Sequence, residues 1–362
     1  MSPLPSTFSS PSSSPSTFGA QLLLALALLL ISLPSPAREQ PEPVAIDAGF
    51  RPAEQAAQLL SLSEAQTLKG LKRVAVSQFS VEFVTGDSVS AETSGFAAAG
   101  RARVTAFHRL VGVGQAEFQA LSEAMHGEFL RQLLASGLEV VPHDQLLAAP
   151  SYRKLAAAGL AMPDIQEDAI TVAPAGMALF GANRLAAQTA QPSGMFSGLQ
   201  AFGSAMSAIG SVSDLQSLQV ELGDAALLEV HLRVHFVQLV NQNKGFFGRL
   251  ASQASVSAQT APSIRSARMG VQVGAYNAQL ALKQALTLDA SAFSEVREQA
   301  SSKADVAGAV LAGLINLASG SQNRSDSKRF ETVAEPSRYR EVLSTGLSQT
   351  QAMLVARLQA ER

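Results

Sequence analysis

Residues 71–84 read LKRVAVSQFSVEFV, and their side chains alternate between two faces. Apolar and polar groups share each face, and β-branched and aromatic side chains are frequent. One face carries Val74, Val76, Gln78 and Ser80, and the other carries Ala75, Ser77, Phe79, Val81 and Phe83. A period of two with these residue types is typical of a strand. The pattern therefore predicts a strand over residues 71–84.

A second strong strand is predicted over residues 225–240, which read AALLEVHLRVHFVQLV. Its apolar face is formed by Ala226, Leu228, Val230, Leu232, Val234 and Phe236. Its opposite face is formed by Glu229, His231, Arg233 and His235. This alternation indicates a strand with one apolar face and one polar face.

The first strand is followed by the signals of a βαβ unit. Apolar residues recur at three- and four-residue steps from Glu117 to Ser136, which predicts an amphipathic helix that ends before Gly137. Leu138–Val141 then predicts a short strand. The preceding Gly86–Gly100 is predicted as a loop or weak hairpin, with Arg101–Val113 as its returning strand.

The remaining patterns complete a mixed α/β chain. We predict further helices over 53–67, 152–160 and 338–358, a strand or extended segment over 169–180, and a further strand over 268–282. The fold class is therefore α/β or α+β, with a mixed sheet, packed amphipathic helices and one main domain. The expected organisation is a signal peptide (1–37), a leader with a short helix (38–67), a mixed α/β domain (68–282) and a helical C-terminal region (283–362).

The N-terminal segment predicts export. Leu22–Ile31 is an uninterrupted apolar run, and small residues follow at Ser35 and Ala37. An apolar run of this length, followed by small residues at a cleavage site, is typical of a signal peptide. The run is short for a membrane span. We expect cleavage after Ala37 and a periplasmic location, either free or associated with the outer membrane. An uncleaved anchor is the alternative.

Composition excludes several classes of function. The net charge is −2, so no long-range field attracts nucleic acid, and the absence of Trp and the scarcity of Tyr leave few stacking platforms. There is no cysteine, which excludes disulfides, thiol catalysis, cysteine-ligated metal and lipid attachment at a cysteine. The expected partner is therefore a protein, or a second copy of the chain, and not a nucleic acid.

Histidines are the first candidates for metal ligands. His231 and His235 have the spacing H-x-x-x-H, which on a helix brings two imidazoles to one zinc ion. On a strand this spacing corresponds to about 13 Å, so the two rings cannot reach the same ion. His108, His126 and His143 show no paired spacing and are interpreted as surface or capping residues. We expect no metal site and no cofactor.

Carboxylates leave one catalytic alternative open. Asp164, Glu167 and Asp168 cluster in a predicted loop, and Asp224 and Glu229 adjoin the second strand. The fold, not the spacing, assembles a carboxylate pair, so an exported hydrolase remains the least favoured alternative. The loop cluster is typical of a solvated turn, and no nucleophile elbow, phosphate-binding loop or zinc-protease motif is present. No catalytic residue is predicted.

Residues 185–213 carry no formal charge and form the candidate interaction surface. Glycine and serine alternate there with large, flexible apolar side chains, which adapt to varied partners or to lipid. A loop with one helix lying on the sheet is the alternative. The residues that would contact a partner are Met195, Phe196, Leu199, Phe202, Met206 and Ile209. A second uncharged run spans residues 306–321.

Several of these segments resemble a known group of periplasmic proteins. Lys72–Phe79 is similar to the first strand of the curli secretion channel (CsgG) and of the N-terminal domain of the TolB translocation protein. Glu117–Ser136, Gly137–Val141 and Asp144–Leu146 resemble the helix, strand and helix start that follow in that group. Ala225–Val240 looks like its later strand. The resemblance implies a non-catalytic envelope role in assembly or interaction.

Together these observations predict an exported, non-catalytic envelope protein that acts in binding or assembly. A membrane-associated oligomer or pore component is the alternative, in which the uncharged segments contact lipid.

Overall fold

The structure is a computed structural model that describes residues 42–92, 103–181, 213–241, 254–299, 314–319 and 325–362. Residues 42–362 belong to one compact unit. The predicted signal peptide (1–37) and the candidate surface Met195–Ile209 lie outside the described residues.

Strands and helices are numbered in chain order. The strands are β1 (Val44–Ala45), β2 (Leu60–Ser63), β3 (Arg73–Val84), β4 (Gly86–Glu92), β5 (Arg103–Val111), β6 (Glu139–Val140), β7 (Asp164–Ile165), β8 (Ala169–Val172), β9 (Ala226–His235), β10 (Gln238–Asn241), β11 (Ala254–Gln259), β12 (Ser263–Val273), β13 (Tyr276–Leu282), β14 (Leu286–Thr287), β15 (Phe293–Glu298), β16 (Leu314–Ser319) and β17 (Ser325–Ala334). The helices are α1 (Pro52–Leu59), α2 (Gln115–Ala135), α3 (His143–Ala148), α4 (Pro150–Ala158), α5 (residues 213–221) and α6 (Pro336–Glu361). Short 3₁₀ helices are Ala65–Leu68 and Ala290–Ala292.

The main sheet is mixed and has β3 and β9 at its centre. Its strand order is β1-β14-β12-β9-β3-β8-β7, with β6 also on β3, and β13 joining β12 to β2. β3 runs parallel to β9 and β6, whereas β8 runs antiparallel to β3 and β12 antiparallel to β9. The mixed α/β class predicted from the sequence is therefore confirmed.

The apolar face of β3 forms the centre of the core. Phe79 and Phe83 are fully buried, and Phe83 stacks on Phe118 of α2 at 4.3 Å between ring centroids. α6 packs beside α2, where Tyr339 approaches Phe118 at 6.3 Å. Burying aromatic side chains of this size supplies much of the hydrophobic stabilisation of a sheet–helix layer.

The opposite face of β3 is covered by the chain around Phe180. The Phe180 backbone N–H donates to Gln78 Oε1 at 2.7 Å, and Phe180 packs edge-on against Tyr152 of α4. α5 is joined to α4 by an ion pair between Lys154 and Asp214 at 2.8 Å. The central strands are therefore covered on both faces, as buried parallel strands require.

Two smaller sheets extend from one end of the main sheet. β3 continues into β4, β9 into β10, and β11 into β12, each through one to three residues. The first small sheet has the order β15-β17-β5-β4 and the second has the order β10-β11-β16. β10 and β11 lie against β4, and β11 and β16 lie against β5. We call these two sheets the β module.

The strongest sequence patterns are confirmed. β3 and α6 occupy the predicted stretches, and α2 ends at Ala135, before the predicted Gly137, which adopts φ +83°. The strand predicted over 225–240 is divided into β9 and β10, which belong to different sheets. β4 and β5 pair as the predicted hairpin. β3 and β6 are parallel, as the βαβ interpretation requires.

Other expectations are wrong in detail. The strand predicted over 268–282 is a hairpin of β12 and β13, because Gly274 at φ +59° permits a tight turn. The helix predicted over 53–67 ends at Leu59, and β2 then pairs with β13. The region 283–362, expected to be helical, contains β14 to β17 before α6. These strands are short or charged, so their alternation is weak in the sequence.

We predict that Gly112→Ala destabilises the fold more than Gly274→Ala. Gly112 has φ +91°, and a Cβ there would overlap the Ala334 carbonyl oxygen at the end of β17. Gly274 also has positive φ, but a Cβ there meets open space. We expect a loss of about 1 kcal/mol at Gly274 and about 3 kcal/mol at Gly112, measured by urea unfolding followed by circular dichroism. Equal losses would contradict the close approach of the two chain segments.

Candidate functional site

A row of polar side chains lies inside the main sheet, on the face of β3 opposite Phe79. Alternation and the parallel register place Gln78 beside Glu229, Ser80 beside His231, and Glu82 beside Arg233. A bulge at Ser77 brings the two strands into this register. We call these six residues the buried polar row.

The carboxylate of Glu82 is the centre of this row. His231 Nε2 lies 3.4 Å from Glu82 Oε2, and Arg233 Nε lies 3.2 Å from Glu82 Oε1. Burial raises the pKa of Glu82, but the contact with His231 and the charge of Arg233 outweigh burial and hold the pKa below its ordinary value. Glu82 is therefore an ionised carboxylate whose negative charge is compensated by His231 and Arg233.

Ser80, His231 and Glu82 follow the order of a serine-hydrolase relay. Ser80 Oγ and His231 Nδ1 are 2.9 Å apart, and the other ring nitrogen faces Glu82. A nucleophilic serine also needs a path to the substrate and donors for the oxyanion. Ser80 has 0% exposure, so a substrate carbonyl has no access to its Oγ in this structure. The geometry therefore fits a structural hydrogen-bond chain better than a nucleophile.

Glu229 has a different environment from Glu82. Burial raises the pKa of Glu229 to about 7, and the neighbouring amide side chain of Gln78 opposes this shift only in part. No ion pair joins Glu229 to a basic side chain in the part of the chain that the structure describes. Its ionised form is therefore unfavourable in the folded protein.

A second polar group lies where the main sheet meets the β module. His235, at the end of β9, places Nδ1 3.7 Å from Asp87 Oδ2 on β4. Arg265 is the bulged residue of β12, and its Nη2 donates to the Val237 carbonyl oxygen at 3.0 Å. We call Asp87, His235 and Arg265 the junction cluster. Burial and the charges of Arg265 and Arg233 lower the pKa of His235, and Asp87 opposes them.

A cleft of about 440 Å³ adjoins this junction on the outer face of the four-stranded sheet. Its floor includes Phe107 and Arg109 of β5 and Arg329 of β17, and register places Phe107 directly beside Arg329. Glu167 and Asp168 line it from the loop between β7 and β8. This arrangement brings together side chains that are more than 200 residues apart in the sequence.

The floor of the cleft presents unengaged groups. Phe107 is 43% exposed, although it is a large apolar side chain in a strand. Among the described residues, neither Arg109 nor Arg329 forms an ion pair, because Glu331 is bound instead by Arg297 at 2.8 Å. An exposed aromatic ring flanked by free guanidinium groups has the composition of a protein-binding surface.

The structure places the histidines that the sequence analysis considered in different environments. His231 and His235 lie on one strand face, but each contacts a different acid. His108 and His126 are buried, so their interpretation as surface or capping residues was wrong. His108 belongs to β5 of the β module and stacks on Phe330 of β17 at 4.9 Å. Burial lowers the pKa of His108 to about 4.

The acidic residues are separated by the fold. Glu167 and Asp168 reach the cleft, whereas Asp164 begins β7 and Asp224 lies in the turn before β9. Asp168 also holds the module in place, because its backbone oxygen accepts from Thr85 and Gly86 at 2.8 and 3.0 Å. Within the described ranges, no three histidine or acidic side chains are placed to hold a metal ion.

Comparisons give no relative from which a site could be transferred. No protein-family model, curated protein or solved structure matches this chain. None of the helices in the described residues has the length and hydropathy that crossing a membrane requires.

Sequence reasoning missed Glu82, Arg109 and Arg329. Glu82 continues the alternation of Gln78 and Ser80, so the polar face of β3 was visible in the sequence. The two arginines become neighbours only through the parallel pairing of β5 and β17, for which the sequence contains no local signal.

We predict that Glu229→Gln stabilises the protein at alkaline pH. The folded pKa of Glu229, about 7, lies above its ordinary value, so stability falls as pH rises between the two values. Glutamine removes this loss, and we expect a gain on the order of 1–3 kcal/mol at pH 8 that shrinks towards zero near pH 4. Urea unfolding across this pH range measures the effect.

Glu82→Gln is the matched control with the opposite sign. The lowered pKa of Glu82 adds stability above the ordinary value, which is lost as pH falls through the folded pKa. The substitution should therefore destabilise at pH 8 and have little effect in acid. If both variants destabilised the protein at pH 8, the assignment of different electrostatic environments to Glu229 and Glu82 would be wrong.

Proposed function

We propose that this chain is an exported envelope protein that acts in binding or assembly without catalysis, and that the cleft on the four-stranded sheet receives a protein partner. The export pattern of residues 1–37 and the resemblance of Lys72–Phe79 to periplasmic proteins support the compartment. The exposed Phe107 between Arg109 and Arg329 is the single observation that carries the binding site.

The chemistry of the cleft supports a protein partner. Aromatic and arginine side chains are enriched at protein interfaces, where they combine large contact area with directed hydrogen bonds. Glu167 and Asp168 add acidic groups at the wall, so the cleft offers both signs of charge. A polypeptide with basic and acidic side chains can match both, whereas a polyanion would be repelled by the wall.

The main sheet supports a non-catalytic role. Its buried acid, Glu82, is engaged by His231 and Arg233, and the hydroxyl of Ser80 is engaged by His231. These groups balance one another inside the sheet, which is the usual arrangement of a structural polar network.

The test places a photo-crosslinking amino acid at Phe107 in the full chain, expressed in its host cell. A second chain carries the same amino acid at Tyr276, which is 73% exposed in the turn end of the β12–β13 hairpin. We expect the chain in the envelope fraction and a discrete crosslinked product from position 107 only. The same products from both positions, or a full-length chain confined to the cytosol, would contradict the proposal.

Charge variants identify the contribution of the cleft. Arg109→Ala with Arg329→Ala should weaken the crosslink at position 107 at least tenfold. Arg153→Ala with Arg340→Ala is the matched control, because both side chains are exposed and lie outside the cleft. Equal loss in both double variants would show that general charge, and not the cleft, is responsible.

A further inference from the structure

One row of residues crosses the outer face of the four-stranded sheet with alternating charges. Strand pairing places Gly86 of β4, Arg109 of β5, Glu331 of β17 and Arg297 of β15 side by side. The carboxylate of Asp168 lies over Gly86, in the space that a side chain at this position would fill. The order of charges across the sheet is therefore negative, positive, negative, positive. Because neighbouring strands are about 4.8 Å apart, Arg109 stands between two acids, one on each side.

The next row on the same face has a different composition. Strand pairing places Ser88 of β4, Phe107 of β5 and Arg329 of β17 side by side. The row ends at Gln299, whose backbone N–H donates to the Arg329 carbonyl oxygen at 2.8 Å. Of these four residues only Arg329 carries a charge, and its direct neighbour is the exposed ring of Phe107.

The acid that follows Arg329 on the same face of β17 is already engaged. Glu331 accepts from Arg297 Nε at 2.8 Å and from Gln299 Nε2 at 3.5 Å. Among the ion pairs of the described chain, none includes Arg329. A guanidinium group carries N–H donors in a fixed fork that matches the two oxygens of a carboxylate. Arg329 therefore presents an unused carboxylate-binding group on the floor of the cleft.

We propose that the protein partner presents an acidic and an apolar side chain two positions apart in an extended segment, and that Arg329 binds the carboxylate while Phe107 packs against the apolar side chain. This inference rests on the protein-binding role proposed for the cleft. Side chains two positions apart in an extended segment point to the same side, about 7 Å from each other, so both can reach these neighbouring groups. The ring of Phe107 excludes water from one side of the ion pair, which strengthens it. Arg109 contributes little, because acids already flank it.

Crosslinking from position 107 of the full chain tests this division of roles, with Arg329→Gln and Arg109→Gln as a matched pair. Both arginines are exposed and line the same cleft. We expect Arg329→Gln to lower the crosslink yield about tenfold, because a bidentate ion pair is lost, and Arg109→Gln to lower it by less than about twofold. Arg329→Lys should give an intermediate yield, since lysine keeps the charge but lacks the planar fork. Mass spectrometry should locate the crosslink beside an Asp or Glu of the partner.

An exchange of charges with the partner completes the test. Replacing the located acid of the partner by lysine should abolish the crosslink to the natural chain, and Arg329→Glu should restore it. Equal losses for Arg329→Gln and Arg109→Gln, a crosslinked segment without an acid, or a failure of Arg329→Glu to restore the crosslink would each overturn this inference and leave the cleft as a protein-binding site. The absence of any crosslink from position 107 would contradict the proposed function itself, and this inference with it.

Discussion

The main sheet depends on one buried carboxylate that is balanced across two parallel strands. Glu82 of β3 is held between His231 and Arg233 of β9, and leaving its charge unbalanced would cost about 3–5 kcal/mol, a large part of the stability of a typical domain. The same contact fixes the strand register. A shift by one residue would turn Glu82 towards the aromatic layer of Phe79 and Phe83, against which α2 packs. The bulge at Ser77 is the local adjustment that makes both requirements compatible.

Charged side chains also lie at the end of these strands, where the main sheet meets the β module. Where the backbones of β3 and β9 diverge, His235 of β9 lies 3.7 Å from Asp87 of β4, and Arg265 donates to the Val237 carbonyl oxygen. β4 then connects this junction to the cleft, because Gly86 lets the loop at Asp168 approach closely and Asp87 lines the cavity. The buried Glu82, the junction with the module and the wall of the cleft are therefore connected by the continuous chain from β3 to β4.

Periodicity predicted the elements whose two faces differ most in polarity. β3, β9, α2 and α6 were recognisable because each repeats its pattern over at least ten residues. The fold of 283–362 was not, since β15 and β17 are charged strands that owe their stability to pairing with β5 and with each other. The polar faces of β3 and β9 were also visible, but not that they lie side by side on one face of the sheet. Arg109 and Arg329 meet only through non-local pairing, so the cleft had no signal in the sequence.

The coupling between Glu82 and Arg233 tests the central claim most directly. A double-mutant cycle with Glu82→Gln and Arg233→Gln, measured by urea unfolding at pH 7, isolates their interaction from the separate cost of each change. Lys154 and Asp214 form the control pair, since Lys154 is 71% exposed. The account predicts a coupling on the order of 1–3 kcal/mol for the buried pair and less than about 1 kcal/mol for the exposed pair. A buried coupling no larger than the exposed one would contradict it.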